Sequence, residues 1–288
     1  MRFIYFFLTV FIGGHCSAES SVWRVESADS IIYLGGTCHM LRASDWPLPA
    51  AYDFAYRQSE IMVFETNLER MEATDFQAQL LQRVQLPNGS TLQSVLSPHV
   101  YQELLDYCNA NQLPIAVLQR LKPSFAMLSL ALLEYQKLGV TQEGVDHHYL
   151  KRAHKDAKSV RFFETIEEQL DLLCSIGDGN EDAFVSYTLD EMESASEVIQ
   201  QILVYWRSGN RAELNALINE EMRTASLVIY QRMLVDRNKK WMPTILEYFK
   251  TAAVEYVLVG AAHLVGEDGL LQQLEQRGCI VTKVHAHP

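Results

Sequence analysis

Short apolar runs alternate with amphipathic stretches along most of this chain. Val22-Trp23-Arg24-Val25 alternates before Ser30 to Leu34 turns almost wholly apolar, which predicts an opening hairpin feeding a central strand. Further strands are expected at Ile61-Met62-Val63-Phe64, at Ser159 to Phe163 and at Val254 to Val259, with a closing strand over Cys279 to Val284. Between them the apolar positions recur at helical spacing. A helix is expected over about Pro49 to Gln58, and Met71 to Leu138 reads as mostly helical. Pro98 and Pro123 stand near helix starts there, and Pro87-Asn88-Gly89 marks a turn. Gly139 closes this stretch, Gly144 opens a helix to about Lys158, and Ile166 to Leu173 forms another. Residues 181 to 250 read as long amphipathic helices with few breaks, and a last helix runs from about Gly269 to Gln276.

Strands alternating with helices predict an α/β fold, a central and mostly parallel sheet covered by helices, with an all-helical insertion between the strand near 160 and the one near 256. No low-complexity linker divides the chain and no repeat is visible, so residues 19–288 are expected to form a single domain.

Composition narrows the function classes. At 288 residues and 48% hydrophobic, the chain can bury a full core. Its formal net charge of −12 argues against a nucleic-acid groove, because phosphate binding needs a basic surface, and it disfavours an anionic membrane surface for the same reason. The first residues behave differently from the rest. Arg2 supplies a positive start, Phe3 to Gly14 an apolar stretch, and Cys16-Ser17-Ala18 a small-residue cleavage site, so residues 1–18 read as a signal peptide. The stretch is shorter than the roughly 20 apolar residues a spanning helix needs. Export to the periplasm or the exterior follows, with no stable membrane insertion after cleavage. Four cysteines then remain, Cys38, Cys108, Cys174 and Cys279, and the sequence leaves their pairing open.

Candidate chemistry sits where the predicted strands end. The first central strand runs into Gly36-Thr37-Cys38-His39, and the strand near 256 runs into the matching turn Gly260-Ala261-Ala262-His263. Glu65 and Glu164 follow two other strands. In open α/β sheets ligands bind outside the carboxyl ends of the strands, so these four residues are expected to converge. Two imidazoles and two carboxylates suit a divalent ion such as Zn, Mn or Co. Such an ion lowers the pKa of bound water to about 7, and a remaining carboxylate can take the proton. Arg237 would then hold a carboxylate or stabilise an oxyanion, since its guanidinium donates in pairs and stays charged. Gly36 and Gly260 allow sharp turns and close approach of backbone to a ligand.

Each residue also has a plainer reading. A histidine after a strand is often a hydrogen-bonded structural residue, a lone glutamate a helix N-terminal carboxylate, and a lone arginine a surface ion pair. Of His147 and His148, at most one would face a site, because neighbours on a helix point about 100° apart. His285 and His287 look like a frayed terminus, and Cys38 like a small buried side chain.

Several motifs occur together. They are Tyr33 to His39 with its Gly-x-x-His turn, Val63-Phe64-Glu65-Thr66-Asn67, Gly144-Val145-Asp146, Phe163-Glu164-Thr165 with Gln169, Arg237-Asn238, and the run Val259 to Leu270. In combination they resemble the TraB/GumN family, which includes the Tiki proteins, over essentially the whole chain after the signal peptide. The resemblance implies an α/β fold with two related halves, each contributing a Gly-x-x-His turn. It also implies a site of two histidines, two glutamates and an arginine, and, through the Tiki proteins, metal-dependent proteolysis. Carried across by motif, the site is His39, Glu65, Glu164, Arg237 and His263, supported by Gly36, Gly260 and Asn238. The expected protein is an exported metal-dependent hydrolase acting on a peptide or a small-molecule substrate. His39, Glu65 and His263 would hold the metal, Glu164 would serve as base or support, and Arg237 would face the carbonyl. The family's similarity to erythromycin-esterase-like proteins implies a rival, a metal-independent esterase with a histidine base. A binding protein of the same fold that does no chemistry is the third reading.

Overall fold

Among the described residues eight strands organise the chain: β1 (Val22–Ser27), β2 (Ser30–Thr37), β3 (Leu41–Arg42), β4 (Ile61–Phe64), β5 (Val140–Thr141), β6 (Ser159–Phe162), β7 (Glu255–Gly260) and β8 (Ile280–Lys283). Six of them form one sheet in the order β6-β4-β7-β2-β1-β8. The four neighbours β6, β4, β7 and β2 run parallel, while β1 lies antiparallel to both β2 and β8. The fold is α/β, as the alternation of strands and helices predicts. The computed structural model describes residues 20–285 except Asp29, Asn88 and Gln142, so the expected signal peptide lies outside the described residues.

The apolar saturation of the central strands has a direct physical counterpart. β4 and β7 are covered by helices on both faces, and Met62, Val63, Val257, Leu258 and Val259 have no exposed surface at all. The outer strands β6 and β8 alternate between exposed and half-buried residues, as edge strands do.

Register brings the strand ends level. Phe64 lies opposite both Phe162 and Leu258, and Thr37 opposite Gly260, so the chain leaves all four parallel strands along one edge. The end of β2 is further pinned through the Gly36 carbonyl, which accepts from Tyr52 Oη and, at 2.7 Å, from Trp206 Nε1. Trp206 stands near the end of the long helix Glu181–Ser208. That helix also packs with the helices Pro98–Ala110 and Pro123–Lys137 around a second apolar cluster containing Leu104, Leu130 and Val185.

Three local features depart from the predicted pattern. The helix opening at Gly144 ends at Lys155, because Ala157 takes a left-handed φ of 53° and Lys158 N–H turns back to the Ala153 carbonyl at 2.9 Å. The helical run 181–250 is interrupted by two π-helical turns, Asn215–Glu220 and Gln231–Val235, a form that clusters at functional sites. The strands β3 and β5 pair over two residues each, too short a length for periodicity to reveal. The cysteines Cys38, Cys108, Cys174 and Cys279 are all free thiols. Among the described residues no helix is long and apolar enough to cross a membrane.

Candidate functional site

The carboxyl edge of the parallel strands brings His39, Glu65, Glu164 and His263 to one side of the sheet, where Arg237 and Asn238 meet them from the helix Asp236–Tyr248. Gly260, at the end of β7, is the reference point. A Cβ built on it would lie 3.3 Å from Glu65 Oε1, 3.6 Å from His263 Cδ2 and 3.7 Å from His39 Nε2. The two histidines and Glu65 therefore surround one position, and glycine leaves that position open. Glu164 joins through the helix Asp236–Tyr248, whose Arg237 and Trp241 both reach it.

Arg237 is the hub. Its Nε lies 3.1 Å from each Glu164 oxygen, and Nη2 donates to Glu65 Oε2 at 2.6 Å and to Glu164 Oε2 at 2.9 Å. Nη1 donates to the Met233 carbonyl at 3.3 Å and to His263 Nε2 at 3.0 Å. Met233 belongs to the second π-helical turn. All five N–H groups of Arg237 are thus engaged within the protein. Of the two expectations for Arg237, holding a carboxylate or stabilising an oxyanion, these contacts are of the first kind: the guanidinium holds two carboxylates and an imidazole.

Those contacts set the charge states. Burial drives the His263 pKa down to about 3, with Glu65 opposing and Arg237 assisting, so the ring is neutral at ordinary pH. Its Nε2 must then accept from Arg237, which leaves Nδ1–H to donate to Asn238 Oδ1 at 2.8 Å. Asn238 is held in turn by its own amide, which donates to the His263 carbonyl at 3.1 Å and the Asp268 carbonyl at 2.9 Å. For Glu65 burial opposes ionisation, but His263, Arg237, His39 and the Gly260 N–H outweigh it and hold the carboxyl at about 2. Since His263 is neutral above about 3, the positive charges beside Glu65 are those of Arg237 and, below its own pKa, His39. The Gly260 N–H donates to Glu65 Oε1 at 2.6 Å.

His39 differs from the rest. Its Nδ1 lies 2.9 Å from Asp146 Oδ2, and its side chain is 57% exposed into the cavity while that of Asp146 is 6% exposed. Asp146 is the strongest influence on His39 and raises its pKa, against the effect of burial, up to about 9. Water in the cavity screens that attraction, so 9 marks the upper end. The pair is assembled by close backbone packing. Val145 N–H donates to the Cys38 carbonyl at 3.1 Å, and a Cβ on Gly144 would overlap the His39 carbonyl. Only glycine lets the helix Val145–Lys155 start so near the turn after β2. Asp146 carried no assigned role in the sequence; its signal was the Gly-Val-Asp helix start, which placed an acid on a first helical turn without showing its partner. Cys38, beside the histidine, is a half-buried free thiol whose pKa burial pushes well up, so it is a neutral thiol here.

The resemblance implies a divalent ion held by His39, Glu65 and His263. His39, Glu65 and His263 are brought together, but His263 Nε2, the nitrogen that would ligate, accepts from Arg237. A guanidinium already neutralises Glu65 and Glu164 where a dication would have to bind. Among the described residues no group of three or more His, Cys, Asp or Glu is disposed to hold a metal. As these side chains stand, Arg237 occupies donors that a dication would need, His263 Nε2 and Glu65 Oε2.

This polar floor lies in a cavity of about 540 Å³ with largely apolar walls, including Met40, Leu68, Met71, Leu132, Ile202 and Ile218. Gln169, which also lines it, sits 3.4 Å from Glu65 Oε2. A few convergent polar groups in an apolar pocket of this size is the usual form of a small-molecule site. A family model described as the TraB/PrgY/gumN family matches residues 21–283. No curated protein and no solved structure matches the chain.

Proposed function

The chain belongs to the TraB/PrgY/gumN family, and we propose that it hydrolyses a carboxylic ester or amide with His39 as general base and without a bound metal. The observation that carries this is the His39–Asp146 pair, an imidazole turned into the cavity on one side and oriented by a buried carboxylate on the other. Asp146 fixes Nδ1 as the protonated nitrogen, so Nε2 faces the cavity with its lone pair.

The steps follow from that geometry. Nε2 removes a proton from a water molecule as the water oxygen bonds to the substrate carbonyl carbon. The imidazolium formed is stabilised by Asp146 at 2.9 Å. It returns the proton to the leaving alkoxide or amine as the C–O or C–N bond breaks. Glu65 stays ionised beside the reacting position, held there by Gly260 and Arg237. Glu164 neutralises Arg237 and takes no proton in this scheme.

The base works only when neutral, which sets the pH dependence. Below the His39 pKa the rate is expected to rise about tenfold per pH unit, levelling off above the ordinary histidine value and no higher than about 9. Asp146→Asn removes the charge that raises this pKa. The rising limb of the pH–rate profile on a soluble ester should therefore move from its wild-type position down towards 6.5, with a lower plateau. A limb that stays in place in Asp146→Asn would refute the assignment of His39 as the base.

A further inference from the structure

Behind the site cavity lies a second one of about 530 Å³, walled by residues such as Met127, Ala131, Leu172, Phe184 and Ile229. The two cavities share Leu128, Leu173, Met222 and Met233 as lining residues, so the partition between them is one side chain thick. Two of these four are methionines, whose unbranched thioethers repack more readily than branched side chains. Both stand beside π-helical turns: Met233 within Gln231–Val235, and Met222 just after Asn215–Glu220. The second cavity reaches the surface among exposed apolar side chains, with Val228 66% and Tyr187 42% exposed on its lining.

We infer that the acyl part of the substrate is a long unbranched alkyl chain, with its carbonyl at His39 and its tail passing between Leu128, Leu173, Met222 and Met233 into the second cavity. This rests on the hydrolase reading for the carbonyl but on the two cavities alone for the tail. The partition decides the chemical class. None of its four side chains carries a strong hydrogen-bonding group, so a peptide threaded there would bury amides without partners, each at a substantial cost. An alkyl chain has no such groups, and each methylene moved from water into apolar surroundings is expected to tighten binding by about fourfold.

Displacement of a fluorescent fatty-acid probe by saturated acids from butyrate to palmitate tests the tail separately from the chemistry. Affinity should climb with chain length, and Ala131→Trp, which fills the second cavity, should remove the gain for the longest acids. Ala225→Trp does the same from the opposite wall should the first variant fail to fold. Hydrolysis of short nitrophenyl esters by either variant should match wild type, because neither position lines the site cavity. Length-independent affinity in the wild type, unchanged long-chain binding in a folded filled variant, or stronger displacement by an apolar peptide would each overturn the inference. Short esters cut with no dependence on length would sink this proposal and spare the hydrolase reading. Length-dependent binding with no ester or amide cleaved would do the reverse.

Discussion

Alanine in place of His39 is expected to lower kcat/KM for ester or amide hydrolysis by about 10²- to 10⁴-fold, the usual contribution of a positioned general base. The fold should survive the change. The His39 side chain is 57% exposed and packs no core, and its removal opens Asp146 to the water of the cavity instead of stranding it. Initial rates and a thermal melt on the same preparation check both halves. Loss of activity with an unchanged melting temperature is the expected pair, and full activity in His39→Ala would remove the base from the mechanism. His263→Ala makes a useful contrast. That ring is neutral, buried and committed at both nitrogens, so its loss should act through the position of Arg237 and be accompanied by reduced stability.

The second large effect concerns stability. Arg237→Met is expected to destabilise the protein by about 3–5 kcal/mol, the cost of removing one partner from a buried ion cluster. The side chains of Glu65 and Glu164 are each 5% exposed and share the one guanidinium, so the substitution leaves two carboxylates facing each other with no cation between them. Arg237→Lys should recover only part of this, because an ammonium has three donors and no planar fork, where the arginine uses five N–H groups. The denaturant midpoint at neutral pH is the measurement. A midpoint near wild type in Arg237→Met would mean that the cluster is held by something other than the arginine.

The reach and the limit of the sequence show in the same residues. That His39, Glu65, Glu164 and His263 end neighbouring parallel strands was legible, because an apolar run that stops at a polar residue marks both the strand and its exit edge. What each side chain does there was not. Arg237 looked like a donor waiting for a substrate, and only the three-dimensional arrangement shows its five N–H groups spent on Glu65, Glu164, His263 and Met233. His39 and His263 share the Gly-x-x-His motif and would have been assigned alike, although one lies in a bend and the other in the helix Ala261–Leu264. They diverge because one meets Asp146 from the helix Val145–Lys155 and the other meets Asn238 and Arg237 from the helix Asp236–Tyr248. Such partners lie 107 and 25 residues away and leave no trace in local periodicity. The π-helical turns escape for a related reason, since one extra residue in a turn shifts a helical pattern no more than ordinary irregularity does.

In the proposed mechanism His39, held by Asp146 and with no bound cation, activates the water. The most direct test is the pH–rate profile of protein stripped of metal by a chelator and verified metal-free by elemental analysis. Stripped protein is expected to keep its activity, with a rate that rises with pH through the His39 titration and reaches its plateau no higher than about 9. Activity lost on stripping and restored by Zn, Mn or Co would contradict it and return His39, Glu65 and His263 to the role of metal ligands.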